Sequence, residues 1–253
     1  MRGLKNRVVI LTGGSSGIGK ATALRLAEEG AKVAIFDLNE SGARDAAAEV
    51  RDGTIRAYGV DITDRAAVEA AVEQVEADLG PVELLANVAG WDLPAPFVET
   101  DRDFWDKVIA INLYGPLIMH HVVLPRMAAR GFGRVVNVSS DAGRVGSSGE
   151  AVYSACKGGI IAFTKTMARE MARKGITLNT VAPGPTDTPL FDGFKAASDV
   201  GEKIAAGLAK AIPLGRLGQP EDYPGTLAFL LSDDAAFLTG QTISVSGGLT
   251  MHG

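Results

Sequence analysis

The sequence predicts an α/β fold: a doubly wound parallel sheet of seven strands in a single domain. Three observations predict it. Short β-branched runs alternate with helical patterns from one end of the chain to the other. A glycine-rich turn, Thr12-Gly13-Gly14-Ser15-Ser16-Gly17-Ile18-Gly19, follows the first run directly and opens a helix. No composition shift, repeat or low-complexity linker divides the 253 residues. The same alternation also fits a closed eight-stranded barrel. The glycine turn favours the open, Rossmann-type sheet.

Each element has a local reason. The first strand is 7–11, and its helix, 17–29, stops at Gly30, because glycine takes a helix-ending conformation without strain. A strand at 32–36, a helix at 40–51 and a short strand at 55–58 follow. The pattern at 64–79 is a helix that ends at Gly80-Pro81. A fourth strand, 82–86, leads to a long helix at 103–130, with Val108, Ile111, Leu117 and Ile118 near helical spacing. The fifth strand, 135–138, is β-branched apart from Asn137. A second long helix covers 152–174 and stops at Gly175, before a sixth strand at 176–181. Residues 185–220 read as irregular, with a substrate-loop insertion at about 186–218. A helix at 220–231 and a strand at 242–245 complete the chain.

Composition narrows the function classes. Apolar residues make up 46% and charged residues 22%, which is an ordinary globular balance. The net charge of −5 provides no global field for nucleic acid or anionic lipid, so neither a nucleic-acid nor a membrane partner is expected. One cysteine, Cys156, excludes a disulfide framework and a multi-cysteine zinc site, and inside its helical turn it reads as a small buried filler. The three histidines, His120, His121 and His252, have no metal-ligand spacing. His120 and His121 read as helix-surface or subunit-interface residues. No apolar run reaches about 18 residues, and the N-terminus lacks a signal-peptide core, so a cytoplasmic protein is expected.

The glycine turn suits a pyrophosphate. That group needs a tight turn, close backbone approach and a helix N-terminus aimed at it. Gly13, Gly17 and Gly19 supply these, with Ser15, Ser16 and Ile18 between them. Asp37 ends the second strand, eighteen residues after Gly19, with Leu38 beside it. A carboxylate there accepts both hydroxyls of an adenine ribose and repels a 2′-phosphate. No Arg or Lys occupies 14–16 or 38–39, so NAD is the expected cofactor. The competing role for Asp37 is a cap on the next helix. Asp61, followed by Ile62, ends the third strand and either meets the adenine amino group or caps the helix near Asp64.

Tyr153 and Lys157 stand four residues apart at a helix start, and so share one face. A tyrosine near pKa 10 is a poor base at neutral pH, and a neighbouring ammonium stabilises its phenolate. The turn at 12–19, Asn87-Val88-Ala89-Gly90, Asn112, Ser140, Tyr153-Ser154-Ala155-Cys156-Lys157 and Pro183-Gly184 occur in one order. Together they resemble the short-chain dehydrogenase/reductase family over essentially the whole chain.

The resemblance implies roles residue by residue. Tyr153 is the acid/base, Lys157 lowers its pKa and holds the nicotinamide ribose, Ser140 binds the substrate oxygen, and Asn112 holds a relay water. Ser139 is the competitor for the serine role. The family spacing to the tyrosine, thirteen residues, selects Ser140. Neighbours at a strand end face opposite ways, so only one of the two serines is expected in the site. Asn87, Ala89 and Gly90 line the adenosine side. Pro183, Gly184, Thr186 and Thr188 hold the nicotinamide carboxamide, with Thr186 acting through its backbone. A homotetramer built through the two long helices is also implied.

The loops at 91–97, 141–150 and 186–218, and the end of the chain, resemble the cyclic hydroxyacyl-CoA dehydrogenases of that family. This implies an acyl-CoA thioester substrate, oxidised at a secondary alcohol β to the thioester. Trp91, Leu93 and Phe97 offer an apolar pocket edge. Arg144, Lys195, Lys203, Lys210 and Arg216 offer a local basic cluster for CoA phosphates. A 3-oxoacyl-carrier-protein reductase, a polyol or cyclic-alcohol dehydrogenase, and a non-catalytic NAD-sensing protein are the alternatives.

Overall fold

The computed structural model describes residues 1–50, 54–196, 206–208 and 210–251, without the side chains of residues 194 and 195. Seven strands form one sheet: β1 (Val8–Thr12), β2 (Lys32–Asp37), β3 (Ile55–Gly59), β4 (Val82–Asn87), β5 (Gly133–Val138), β6 (Ile176–Pro183) and β7 (Thr242–Val245). Their order is β3-β2-β1-β4-β5-β6-β7, and every pairing is parallel. The chain winds outward from β1 to β3, then returns to β1's other side at β4. The strand order therefore reverses between β1 and β4, where an open α/β sheet leaves a crevice at its carboxyl ends.

Both faces of the sheet are buried, which explains the continuous apolar runs. Within β1, Val9 and Leu11 face one core and Val8 and Ile10 the other. The first core is covered by α1 (Gly17–Glu28), α2 (Glu40–Ala48) and, late in the chain, the helix Pro224–Leu231. The second is covered by α3 (Arg65–Leu79) and by the long helix pair discussed below.

The predicted helix at 103–130 is one continuous helical stretch with an internal irregularity. It consists of α4 (Arg102–Ile109), a π-turn (Ala110–Tyr114) and α5 (Gly115–Arg130). Its mean hydropathy and length would suit a membrane span, but half of that window is buried in the fold. Met119, Val122, Val123 and Met127 pack on the sheet. The second long helix is α7 (Ala151–Met171), followed by a 3₁₀ turn, Ala172–Lys174, that ends at Gly175 with φ 73°. A four-residue helix precedes it, α6 (Ala142–Val145). The segment at 185–220, read as irregular, contains α8 (Pro189–Ala196). The helix Pro224–Leu231 is α9. Residue 51, in the predicted second helix, lies outside the described residues, as does His252.

One expectation fails outright. His120 is not on the surface: it is 1% exposed, inside α5. Its Nδ1 lies 2.6 Å from the Pro116 carbonyl, and its ring meets Phe163 edge-on at 4.8 Å. The helix face cannot be told from sequence here because two histidines are adjacent. His121 takes the exposed side.

Burial lowers the His120 pKa from 6.5 to about 4. The unfolded chain therefore takes up this proton first on acidification. The stability His120 contributes is intact above pH 6.5 and is lost as pH falls toward about 4. Its full size is about 3 kcal/mol. His120→Gln should flatten the pH dependence of unfolding free energy between these limits, measured by urea denaturation.

Candidate active site

A cavity of about 620 Å³ lies over the carboxyl ends of the strands at the β1/β4 reversal. At one end is the glycine turn. Gly13 and Gly17 have positive φ, 74° and 52°. A Cβ at Gly19 would lie 1.9 Å from the Gly13 carbonyl oxygen, so the turn closes only around a glycine. No side chain caps α1 at Ser16, which leaves its first N–H groups for a ligand. Thr12 Oγ1 accepts hydrogen bonds from the Val88 and Ala89 amides at 3.0 and 3.1 Å, tying the turn to the end of β4.

Two carboxylates stand beside this turn. Asp37 Oδ2 accepts from the Ser15 amide at 2.9 Å, and Oδ1 from the Asn39 amide at 2.8 Å. The cap of α2 is Asn39, not Asp37. Asp61 turns back onto Thr63, accepting from its amide and its hydroxyl. The cap of α3 is Asp64, not Asp61. Both aspartates line the cavity with Leu38 and Ile62.

The other end holds Tyr153 and Lys157. Both project from the first turns of α7, with Lys157 Nζ 5.4 Å from the tyrosine ring centre. Lys157 is 3% exposed and donates to the Val138 carbonyl at 3.1 Å. Burial lowers its pKa to about 8. The two serines separate by strand alternation. Ser139 is 2% exposed and donates to the Lys157 carbonyl at 2.8 Å. Ser140 accepts from the Ala142 amide, lines the cavity beside Tyr153 and acts to lower the pKa of its phenol. Burial, then the charges of Glu150 and Asp92, push the Tyr153 phenol above its ordinary range.

Asn112 sits behind this pair, fully buried within the π-turn. Its Nδ2 donates to the carbonyls of Trp91 and Val108 at 2.6 and 2.9 Å, and its Oδ1 accepts from the Trp91 amide at 3.2 Å. Gly90 is wedged between: a Cβ there would approach Asn112 Oδ1 to 3.0 Å and Lys157 Nζ to 3.3 Å. A π-turn at such a position often marks a functional site.

Of the remaining expected residues, Ser15, Ser16, Ile18, Ala89, Gly90, Pro183, Gly184, Thr186 and Thr188 line the cavity. Thr186 buries its hydroxyl against Tyr223 and Gly184, leaving its backbone toward the site. Asn87 does not line the cavity. It is 4% exposed and donates to Asn137 Oδ1 at 2.9 Å, joining β4 to β5, so Val88 takes the lining position.

The substrate side departs further from expectation. Trp91 lines the cavity, under Lys107 at 3.8 Å from its ring centre. Leu93 and Phe97 do not; Phe97 stacks on Trp105 at 5.3 Å. Ile111, Val145, Leu190, Phe191, Leu208 and Leu249 line it instead. Arg144 turns away from the cavity and donates to Ser244 Oγ at 2.9 Å. Arg216 forms an ion pair with Asp222 at 2.6 Å. Lys210 is exposed, and the Lys195 side chain and Lys203 lie outside the described residues. No basic cluster faces the cavity among the described residues: Arg144 and Arg216 find partners elsewhere, and Lys210 does not line it. Sequence reasoning gave no role to Asp92 and Glu150, which line the wall by Tyr153. An acidic residue directly after an apolar Trp91 was the available signal.

Comparisons with known proteins agree with this geometry. A family model described as enoyl-(acyl carrier protein) reductase matches residues 13–250. Acetoacetyl-CoA reductase of Shinella zoogloeoides is 41% identical over 96% of this chain and 98% of its own. Cis-4-hydroxycyclohexanecarboxylate dehydrogenase of Sinomonas cyclohexanicum is 42% identical over 96% of each chain. The structure of 3-ketoacyl-(acyl-carrier-protein) reductase from Brucella melitensis complexed with NADH superposes with a TM-score of 0.90, at 30% identity, covering 98% of this chain and all of that one.

Thr12→Val keeps the shape of a residue 1% exposed but leaves the Val88 and Ala89 amides without their acceptor. Unmet buried donors cost about 1–3 kcal/mol. Chemical denaturation should show a loss in that range.

Proposed function

Because this chain belongs to the short-chain dehydrogenase/reductase family, we propose that it is the NAD-dependent dehydrogenase of a cyclic 3-hydroxyacyl-CoA, such as 2-hydroxycyclohexanecarboxyl-CoA. Family membership makes it a nicotinamide-dependent oxidoreductase that interconverts a hydroxyl and a ketone. The choice of NAD rests on Asp37. Its carboxylate lines the cavity at the glycine turn, and no Arg or Lys stands at 14–16 or 38–39 to receive a 2′-phosphate. The uncapped α1 and the cradle that a Cβ at Gly19 would fill suit the pyrophosphate.

The substrate reading draws on three supports. The loops resemble cyclic hydroxyacyl-CoA dehydrogenases. One relative is named for an acyl-CoA and another for a cyclohexane ring. The cavity wall carries Trp91, Ile111, Leu190 and Phe191, apolar enough for a ring. A carrier-protein thioester is the second reading, favoured by the name of the Brucella melitensis structure.

When bound, the nicotinamide cofactor supplies the acceptor for the hydride of the carbinol carbon. The protein's own residues do the rest. Ser140 donates to the substrate oxygen and Tyr153 exchanges its proton. Lys157, with a pKa of about 8, is mostly charged at neutral pH and favours the phenolate. It opposes the burial and the neighbouring carboxyl pair that hold the phenol protonated. Asn112 positions the Trp91 backbone through two hydrogen bonds and is itself anchored by a third, to the Val108 carbonyl. Through Gly90, this sets the gap in which Lys157 sits.

Tyr153→Phe keeps the ring and loses the transferable proton. Its kcat should fall about 10²–10⁴-fold with NADH binding retained; a residual above about a tenth would remove Tyr153 from the proton step. Wild type should show a higher kcat/KM with NAD than with NADP, and Asp37→Ala should narrow the difference. Equal values in wild type would overturn the NAD assignment. For the substrate, a cyclic β-hydroxyacyl-CoA should exceed its free acid and the parent cyclohexanol in kcat/KM. Parity would defeat the CoA reading, and a preference for straight-chain thioesters would defeat only the ring.

A further inference from the structure

Two acidic side chains on the cavity wall have no part in that mechanism. Asp92 follows β4 by a few residues, and Glu150 stands immediately before α7, three residues ahead of Tyr153. Backbone fixes them together: the Ala95 amide donates to the Gly149 carbonyl at 2.9 Å, joining their two loops. Asp92 is 4% exposed, and its Oδ2 receives no hydrogen bond from the protein. A buried carboxylate normally gathers donors on both oxygens. One that leaves Oδ2 without any, beside a second carboxyl, has the surroundings of a neutral acid. Burial and then the charge of Glu150 raise the Asp92 pKa to about 8, so at neutral pH it holds its proton. Burial also raises the Glu150 pKa, while neighbouring Ser147 and Asp92 oppose that rise. Both carboxyls act on the Tyr153 phenol, so the pair lies within electrostatic reach of the reacting oxygen.

We propose that Asp92 and Glu150 form a proton-sharing pair that reads the substrate group next to the reacting carbon: Asp92 donates a hydrogen bond to an uncharged acyl carbonyl, and Glu150 repels a free carboxylate there. A neutral acid is a donor, and an ester or thioester carbonyl is only an acceptor, so the two match. A free carboxylate would add a further negative charge to a wall already carrying one, away from bulk water. The pair therefore determines specificity for the acyl neighbour, while Tyr153 and Ser140 handle the alcohol. This inference rests on the reading of the substrate as a β-hydroxyacyl compound. It does not require CoA.

The test uses the full chain with NAD and four probes: a cyclic β-hydroxy ethyl ester, its free carboxylate, its CoA thioester and plain cyclohexanol. Wild type should prefer ester over free acid by at least about ten-fold in kcat/KM, the scale on which a site built to hydrogen-bond one group rejects its mismatch. Asp92→Asn keeps an N–H donor and should stay within about three-fold of wild type on the ester. Asp92→Ala should lose about ten-fold or more on the ester and much less on cyclohexanol. Glu150→Gln should raise turnover of the free acid. Equal wild-type rates for ester and acid, or equal losses by Asp92→Ala on ester and cyclohexanol, would overturn the proposal. A thioester no better than the ester would defeat the CoA reading and leave the acid pair standing.

Melting temperatures with saturating NADH identify a variant that fails to fold. If Asp92→Ala does, pH decides. The ester-to-cyclohexanol ratio should fall in wild type as pH rises through about 8, the pKa at which Asp92 loses its proton. In Asp92→Asn it should not. The other groups facing the pair, Tyr153, Lys157 and Cys156, act on both alcohols alike and cancel in the ratio, and Glu150 is the same in wild type and in Asp92→Asn, so the difference between them reports Asp92. If neither ester nor acid turns over, competitive inhibition of cyclohexanol oxidation by the two compounds gives the same comparison. Equal inhibition would again overturn the proposal.

Discussion

The parallel pairing of β1 with both β2 and β4 is the constraint from which the site follows. A parallel sheet whose chain leaves a central strand in both directions has one place where adjacent strand ends are not bridged by a single crossover. Helices cannot fill that place, and the cavity opens there. What keeps the crevice narrow is local. Thr12, the last residue of β1, accepts from two amides at the end of β4 and holds the two strand ends together. The glycine turn then passes close enough to β4 that a Cβ at Gly13 would lie 2.7 Å from the Ala89 Cα. Any other residue there would force the two halves of the crevice apart.

Burial governs the chemistry as strongly as placement does. The same desolvation moves the ionisable groups of the site in opposite directions: the phenol and the carboxyls go up, the ammonium down. Neutral forms are favoured throughout. Lys157 keeps most of its charge at neutral pH, whereas Tyr153 and Asp92 keep their protons. A site tuned in this way holds proton donors ready in a low-dielectric wall. A bound ligand that brings positive charge would shift the phenol back down. Alcohol oxidation, which needs a phenolate, then depends on the balance of Lys157 against the acid pair.

Polar residues at and around the cavity show how much of its hydrogen bonding is architectural. Asn87 and Asn137 join neighbouring strands, and Asn137 continues to Thr164 on α7. Ser139 and Asn112 hold backbone: one fixes the Lys157 carbonyl, the other both polar atoms of Trp91. These bonds fix the backbone on either side of Lys157 and Trp91 and so hold the cavity wall in one geometry. Arg144 and Arg216 do similar structural work at the rim, joined to β7 and Asp222 respectively. Their charges are therefore engaged before any phosphate arrives, and affinity for a CoA substrate would draw on other contacts.

The strand–helix alternation, the glycine turn and the spacing of Tyr153 and Lys157 were legible in the sequence because each depends on near neighbours; Asn112 and Ser140 entered only through the family resemblance. Period, turn chemistry and i,i+4 spacing are local properties, and they determined the sheet, the glycine-turn end of the cavity and the helix face shared by Tyr153 and Lys157. Contacts across the chain were not legible. Which adjacent histidine turned inward, whether Asp37 faced the glycine turn, and where Arg144 pointed depended on partners far away in sequence: Phe163, Ser15 and Ser244. The pairing of Asp92 with Glu150 joins two loops from opposite sides of the β4–β5 crossover, and no spacing rule relates them. A side chain's environment is the sum of what the fold packs around it, so burial and protonation at this site were decided only by the tertiary structure.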